Sequence, residues 1–196
     1  MMPLLQTFGN MSLKPFGFGG ALKDDFELIQ TSVLGSNTPS VTFTLTSLHQ
    51  SSYKHLQLRA IARTTDNQAY ADLYLRFNGD TATNYGWHYV SGTGSGSPSS
   101  GWASSQTGIF VGRASGNTAT TNNFSAATTD IIDAFSSNKN KVTRMIGGEI
   151  DSSYMQTLTT SGLWSNTAAV TSITLFSNQG GNLVAGTRLS LYGIRG

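Results

Sequence analysis

The chain of 196 residues contains no cysteine. That excludes disulfides, a thiolate nucleophile and any zinc site built on thiolates. Charge is scarce too: Asp, Glu, Lys and Arg make up 11 % of the residues, against about 25 % in an average soluble domain. Three histidines and two glutamates leave few groups to carry protons in a reaction. The formal net charge is only +2, and no dense basic stripe offers itself to a nucleic-acid backbone. No apolar run approaches the ~20 residues of a membrane-spanning helix. Residues 1–20 lack the basic start and apolar centre of a secretory leader. Export by cell lysis, or inside a particle, is the expectation.

What fills the gap is polar and uncharged: 25 serines, 25 threonines, 22 glycines and 13 asparagines. Thr, Val, Ile and aromatic residues suit a pleated surface, and Gly, Asn and Ser suit turns. The period-2 signal confirms that bias. In SVTFTLT (40–46), Val41, Phe43 and Leu45 share one face. In LQLRAIAR (56–63), Leu56, Leu58, Ala60 and Ala62 do so. In YADLYLRF (70–77), Ala71, Leu73, Leu75 and Phe77 point inward, with Tyr70, Asp72, Tyr74 and Arg76 outward. Such alternation predicts antiparallel sheet with one wet side. Thr64, Thr65, Asp66 and Asn67 read as a hairpin connection. Further strands are expected over 84–90, 107–114, 128–135, 142–151, 155–160, 170–177 and 187–194, with TTDIIDAFSS (128–137) open to a helical reading. The expected fold is all-β: an antiparallel β-sandwich, jelly-roll-like, over residues 21–196. Residues 1–20 read as an extended arm. Free tails are poor in aromatics, so Phe8, Phe16 and Phe18 mark this arm for docking on its own domain or on a neighbour.

Motifs of catalysis are weak. The glycines of SGTGSGSPSSGWASSQ (91–106) lack the Gly-Lys-Ser/Thr ending of a phosphate loop and read as a flexible Gly/Ser loop; SGNTATTNN (115–123) reads as a second, polar one. His49, His55 and His88 have no zinc-site spacing. No Gly-x-Ser-x-Gly elbow occurs. Asp130 and Asp133 stand three apart, which on a strand puts them on opposite faces; with Glu149 they are the carboxylates a polysaccharide-cleaving enzyme would need. Asn78, Asp80 and Asn84 could ligate calcium, but one carboxylate falls short of the 6–8 oxygens required, and turn chemistry explains them better. No metal or cofactor is expected, and the chain reads as no enzyme. Tyr85, Trp87 and Tyr89 alternate and share a face, best read as a row of the core. Trp102, in the Gly/Ser loop, is the better candidate for an exposed contact, with Tyr85 and Trp87 as its companions if a ligand is bound.

Four segments carry a resemblance: KPFGFGG (14–20), FTLTSLHQSSYKHLQLRAIART (43–64), LYLRFNGDTATNY (73–85) and SITLFSNQGGNLVAGTRLSLYGIRG (172–196). Together they resemble the β-sandwich modules of tailed-bacteriophage virion proteins of the head-decoration, head-fibre and tail-fibre kinds. None of the four is a catalytic motif. The resemblance implies a non-enzymatic virion component with a jelly-roll-like sandwich that assembles as a homo-oligomer, for instance a trimer. Its partners would be the major capsid protein or tail components, with no nucleic acid and no membrane. A capsid decoration or cement protein is the leading reading. A tail-associated fibre or receptor-binding module touching host glycan is the alternative.

Overall fold

The computed structural model describes residues 25–94, 96–150 and 155–196. The arm of residues 1–20, with Phe8, Phe16 and Phe18, lies outside them. The elements are β1 (Phe26–Val33), β2 (Ser40–Thr44), the short helix α1 (Ser47–Ser52), β3 (His55–Ala62), β4 (Tyr70–Phe77), β5 (Tyr85–Gly92), β6 (Ser99–Gln106), β7 (Ile109–Ser115), β8 (Ser125–Ile132), β9 (Lys141–Ile150), β10 (Met155–Trp164), β11 (Ser172–Ser177) and β12 (Arg188–Ile194). They build an eight-stranded sheet, β1-β12-β3-β8-β9-β10-β5-β6, packed on a four-stranded sheet, β2-β11-β4-β7.

The pairing has a simple logic. β1 pairs with β12, β2 with β11, β3 with β8 and β4 with β7, all antiparallel. The chain is thus one long antiparallel ribbon whose successive rungs go alternately to the large and the small sheet. That is the jelly-roll connection, and the expected all-β sandwich forms. Two hairpins, β5–β6 and β9–β10, interrupt the ribbon, and both extend the large sheet.

Several local expectations change. Residues 64–67 make no hairpin, because β3 and β4 lie in different sheets and this connection crosses between layers. Asp66 anchors the crossing: its carboxylate accepts the Gly181 N–H at 2.8 Å and the Ser177 hydroxyl at 2.6 Å. A β-carbon at Gly181 would fall 2.4 Å from that carboxylate, so only glycine lets the two connections touch. Residues 91–106 are mostly strand, since β6 pairs with β5 from Ser99 onward. TTDIIDAFSS continues as strand to Ile132 and then turns. The alternation of β2 breaks into α1, whose Thr46 hydroxyl accepts the His49 N–H while His49 Nδ1 accepts the Thr46 N–H. This capping box uses His where Glu or Gln is usual.

Two cores result. The first lies between the sheets and takes the expected inward rows, Leu56, Leu58, Leu73, Leu75 and Phe77, with Trp164 and Leu191. The second holds Tyr74, Phe110, Met145 and Leu158, with Trp87, Tyr89 and Phe176 against them. Tyr74 was expected to face water, and it is buried. The inserted hairpins explain this. They curl the large sheet around the β7 edge of the small one, so Trp87 and Tyr89 of β5 reach Phe110 at ring distances of 5.4 and 5.8 Å. The β7 edge, which would otherwise expose unpaired backbone, is covered, and the Thr160 hydroxyl donates to the Phe110 carbonyl at 3.2 Å. Gly162 permits the approach: a β-carbon there would fall 2.2 Å from the Ile109 side chain.

Candidate functional site

The segment RFNGD, followed by Asn84 and Tyr85, offers the densest polar cluster near a turn. Asn78 and Gly79 adopt φ of 53° and 65°, the left-handed pair of a tight type I′ turn, here leading from β4 in one sheet to β5 in the other. Asp80 N–H closes the turn onto the Phe77 carbonyl at 2.8 Å. The side-chain oxygens of Asp80 and Asn78 that calcium would need are already engaged, while Asn84 Oδ1 is buried without a hydrogen-bond partner. Asp80 Oδ1 accepts the Ala82 N–H at 2.8 Å, and Oδ2 accepts Asn84 Nδ2–H at 2.9 Å and Trp164 Nε1–H at 2.8 Å. Asn78 Oδ1 accepts the N–H groups of Thr171 and Ser172 at 2.7 and 3.2 Å. Burial alone would raise the Asp80 pKa. The donors from Asn84, Ala82 and Trp164 outweigh it and hold the carboxyl below its ordinary value. The cluster is a structural knot that ties the β4–β5 turn to β10 and to the start of β11. Among the described residues no three His, Asp or Glu side chains gather as a metal would need.

The aromatic candidates separate. Tyr85 is 1 % exposed and stacks on Trp164 at 6.1 Å. Its hydroxyl lies 3.2 Å from both the Phe77 N–H and the Asp80 carbonyl. Burial pushes this phenol up to about 12. Trp87 is half-buried at the seam between the two cores. Both point to the inner face of the large sheet. Trp102 is 74 % exposed, and its register opposite His88 places it on the outer face. One ligand therefore cannot touch Trp102 together with Tyr85 and Trp87. Trp102 is also part of strand β6 rather than of a loop.

The carboxylates do not converge either. Asp130 lies on the outer face, paired with Arg144 at 2.9 Å and accepting from Gln57 at 2.8 Å. Asp133 sits past the end of β8, where the Lys139 hydrogen bond at 2.6 Å lowers its pKa. Glu149 is buried on the opposite side of the sheet from Asp130. Basic side chains act as organisers. Arg63 donates to four backbone carbonyls, those of Thr120, Ala119, Asn123 and Asn117, at 2.8, 2.9, 3.0 and 3.3 Å. It gives the polar loop between β7 and β8 a fixed shape. Lys141, fully buried, donates to the carbonyls of Lys139 and Thr167, and burial lowers its pKa.

What remains is a surface. Thirteen large apolar side chains stand exposed among the described residues. All but Leu48 lie on the outer face of the eight-stranded sheet. Ile132, Val142 and Leu163 form one row across β8, β9 and β10. Ile146 and Val90 flank Thr159 in another. Near β1, Phe26 stacks on Tyr192 at 4.7 Å, and Arg59 covers both rings. Between the apolar residues stand Thr, Ser, Gln57 and His88; Asp130 and Arg144 neutralise each other, and Arg59 and Arg188 carry the face's remaining charge. A shallow depression of 260 Å³ is lined by Thr128, Asp130, Arg144, Ile146 and Thr159. Sequence reasoning missed this surface, although the signal was present. In β9, Val142, Ile146 and Ile150 stand with Arg144 and Gly148 on the face opposite Thr143 and Met145. Period-2 logic assigns only one of two such rows to the core. No protein-family model matches this chain, and no curated protein matches it.

Proposed function

We propose that this protein is a non-enzymatic structural component of a phage particle, a capsid decoration or cement protein placed on the virion surface. The observation that carries the reading is the outer face of the large sheet. Among the described residues nearly all of the exposed large apolar side chains lie on this one face, which fits a subunit that packs against others in an assembly. The expectation of an aromatic arm adds a second attachment element, and the resemblance to phage virion sandwiches supplies the context. The test is co-sedimentation of the purified chain with capsids that lack it. Saturable binding is expected for the full chain, and loss of binding after deletion of residues 1–20, with the sandwich still folded. Capsids that take up none of the full chain would overturn the reading. Undiminished binding of the shortened chain would remove the arm from it.

A tail-associated module that contacts host glycan is the second reading, favoured by Trp102 standing exposed beside His88 on β6. Aromatic faces suit the apolar faces of sugars. A glycan array that stays blank for wild type would dismiss it. Binding that Trp102→Ala abolishes would promote it.

A further inference from the structure

We propose that the outer face of the eight-stranded sheet is the contact between copies of this chain, with Trp102 of one copy packed into the depression beside Arg144 of the next. The inference deepens the reading of an assembly component and rests on it for its purpose, while its geometry comes from the face alone.

Size is the first argument. With Trp102 of β6 over β9 of the next copy, the four strands from β9 to β6 of each face overlap, about 450 Å² at about 4.8 Å between strands and about seven residues of about 3.3 Å along each. That is below the roughly 800 Å² per partner of a standard contact and fits a weak, concentration-dependent one. Charge is the second. Two identical faces repel when each carries net charge. Asp130 and Arg144 neutralise each other, and the face's remaining cations, Arg59 and Arg188, stand on β3 and β12, outside the four strands from β9 to β6. Thr, Ser and His88 fill the remaining polar positions of those four strands.

The third argument is the match of knob and seat. Trp102 is the most exposed aromatic side chain among the described residues, and tryptophan is prominent among residues that dominate contacts. The depression offers the Ile146 side chain as an apolar wall and Arg144 as a cationic rim. Arg144 donates through one nitrogen to Asp130 and keeps 76 % of its side chain exposed, so its planar guanidinium can stack on an indole. Trp102 cannot fill the depression of its own chain, because β6 is three strands from β9, about 14 Å. Knob and seat nevertheless share one cross-strand row: Trp102 faces His88, His88 faces Ser161, and Ser161 faces Arg144. Identical faces can therefore meet without sliding along the strands.

The test is sedimentation equilibrium of the full chain from low to high micromolar concentration, with Trp102→Ala, Ile146→Asp and a chain lacking residues 1–20 alongside. Both substituted side chains lie outside the two cores, and circular dichroism checks that each variant, the shortened chain included, folds. The expected result is a wild type heavier than a monomer, association weakened at least ~30-fold by each substitution, and the shortened chain still associated. A monomeric wild type overturns the proposal, whether or not Trp102 then binds glycan. So does an oligomer indifferent to both substitutions, or one that only the deletion dissolves, which would make the arm the joint. Capsid binding is read in a separate assay, so either reading can fail while the other stands.

Discussion

At the residue scale, the polar side chains that look most like a site are fastenings. Arg63 shows it best. Its guanidinium holds four carbonyls of the β7–β8 loop, work that a bound cation does elsewhere. Arg63→Ala is expected to cost about 2–4 kcal/mol in urea unfolding, and Arg63→Lys will not restore it, because an ammonium cannot match the planar fork. Asp80 gives a pH-dependent case. Its folded pKa lies below the usual 3.8. Its stabilisation is therefore complete above that value and is lost as pH falls through the folded pKa. Asp80→Asn should destabilise the protein by about 2 kcal/mol near neutral pH. The gap to wild type should narrow when the urea midpoints are compared in strong acid. A gap that stays constant to low pH would mean that the carboxylate charge contributes nothing. The turn itself was legible in the sequence, since Asn-Gly-Asp announces its backbone. The partners were not, because Trp164, Ala169 and Thr171 lie far along the chain.

At the scale of elements, the inserted hairpins matter most. They curl the large sheet over β7 and turn the outward side of β4 and β11 into a second core. The fit depends on Gly162, whose absent β-carbon leaves room for Ile109 and for the Thr143 hydroxyl, 2.2 and 2.5 Å from where that atom would be. Gly162→Ala is expected to cost about 1–3 kcal/mol by overpacking. Pairing it with Ile109→Ala, which removes the Cγ2 methyl that the new β-carbon would strike, should cost less than the sum of the two single substitutions, as a double-mutant cycle would show. Gly92→Ala is the control, because nothing lies within 4 Å of its added carbon; its effect should stay within about 0.5 kcal/mol. Most strands were readable from alternation alone. Tyr74 was misread for a physical reason: period 2 says which residues share a face, and only the tertiary neighbour decides whether that face meets water.

At the scale of the whole molecule, the two faces of the large sheet have different work. The inner face buries Leu56, Leu58, Met145 and Leu158. The outer face keeps Phe26, Ile146 and Trp102 in the open. If copies join through that face, thermal stability becomes concentration-dependent by mass action. The wild-type melting temperature should then rise with protein concentration, and that of Ile146→Asp should not. A wild-type melting temperature that is flat across micromolar concentrations would argue for a monomeric sandwich.

The sequence by itself determined the all-β class, most strands and their inward rows, the turn at Asn78–Gly79 and the absence of any thiol chemistry. Each follows from short-range rules: side-chain alternation, left-handed turn backbone and residue chemistry. Only the tertiary structure decided the nested pairing, the crossing at Asp66, the second core around Phe110, the separation of Trp102 from Tyr85 and Trp87, and the apolar outer face. Those depend on which strand lies beside which, and strands such as β1 and β12 meet from opposite ends of the chain. Alternation along a strand is blind to that choice, because it is made by the summed packing of both sheets.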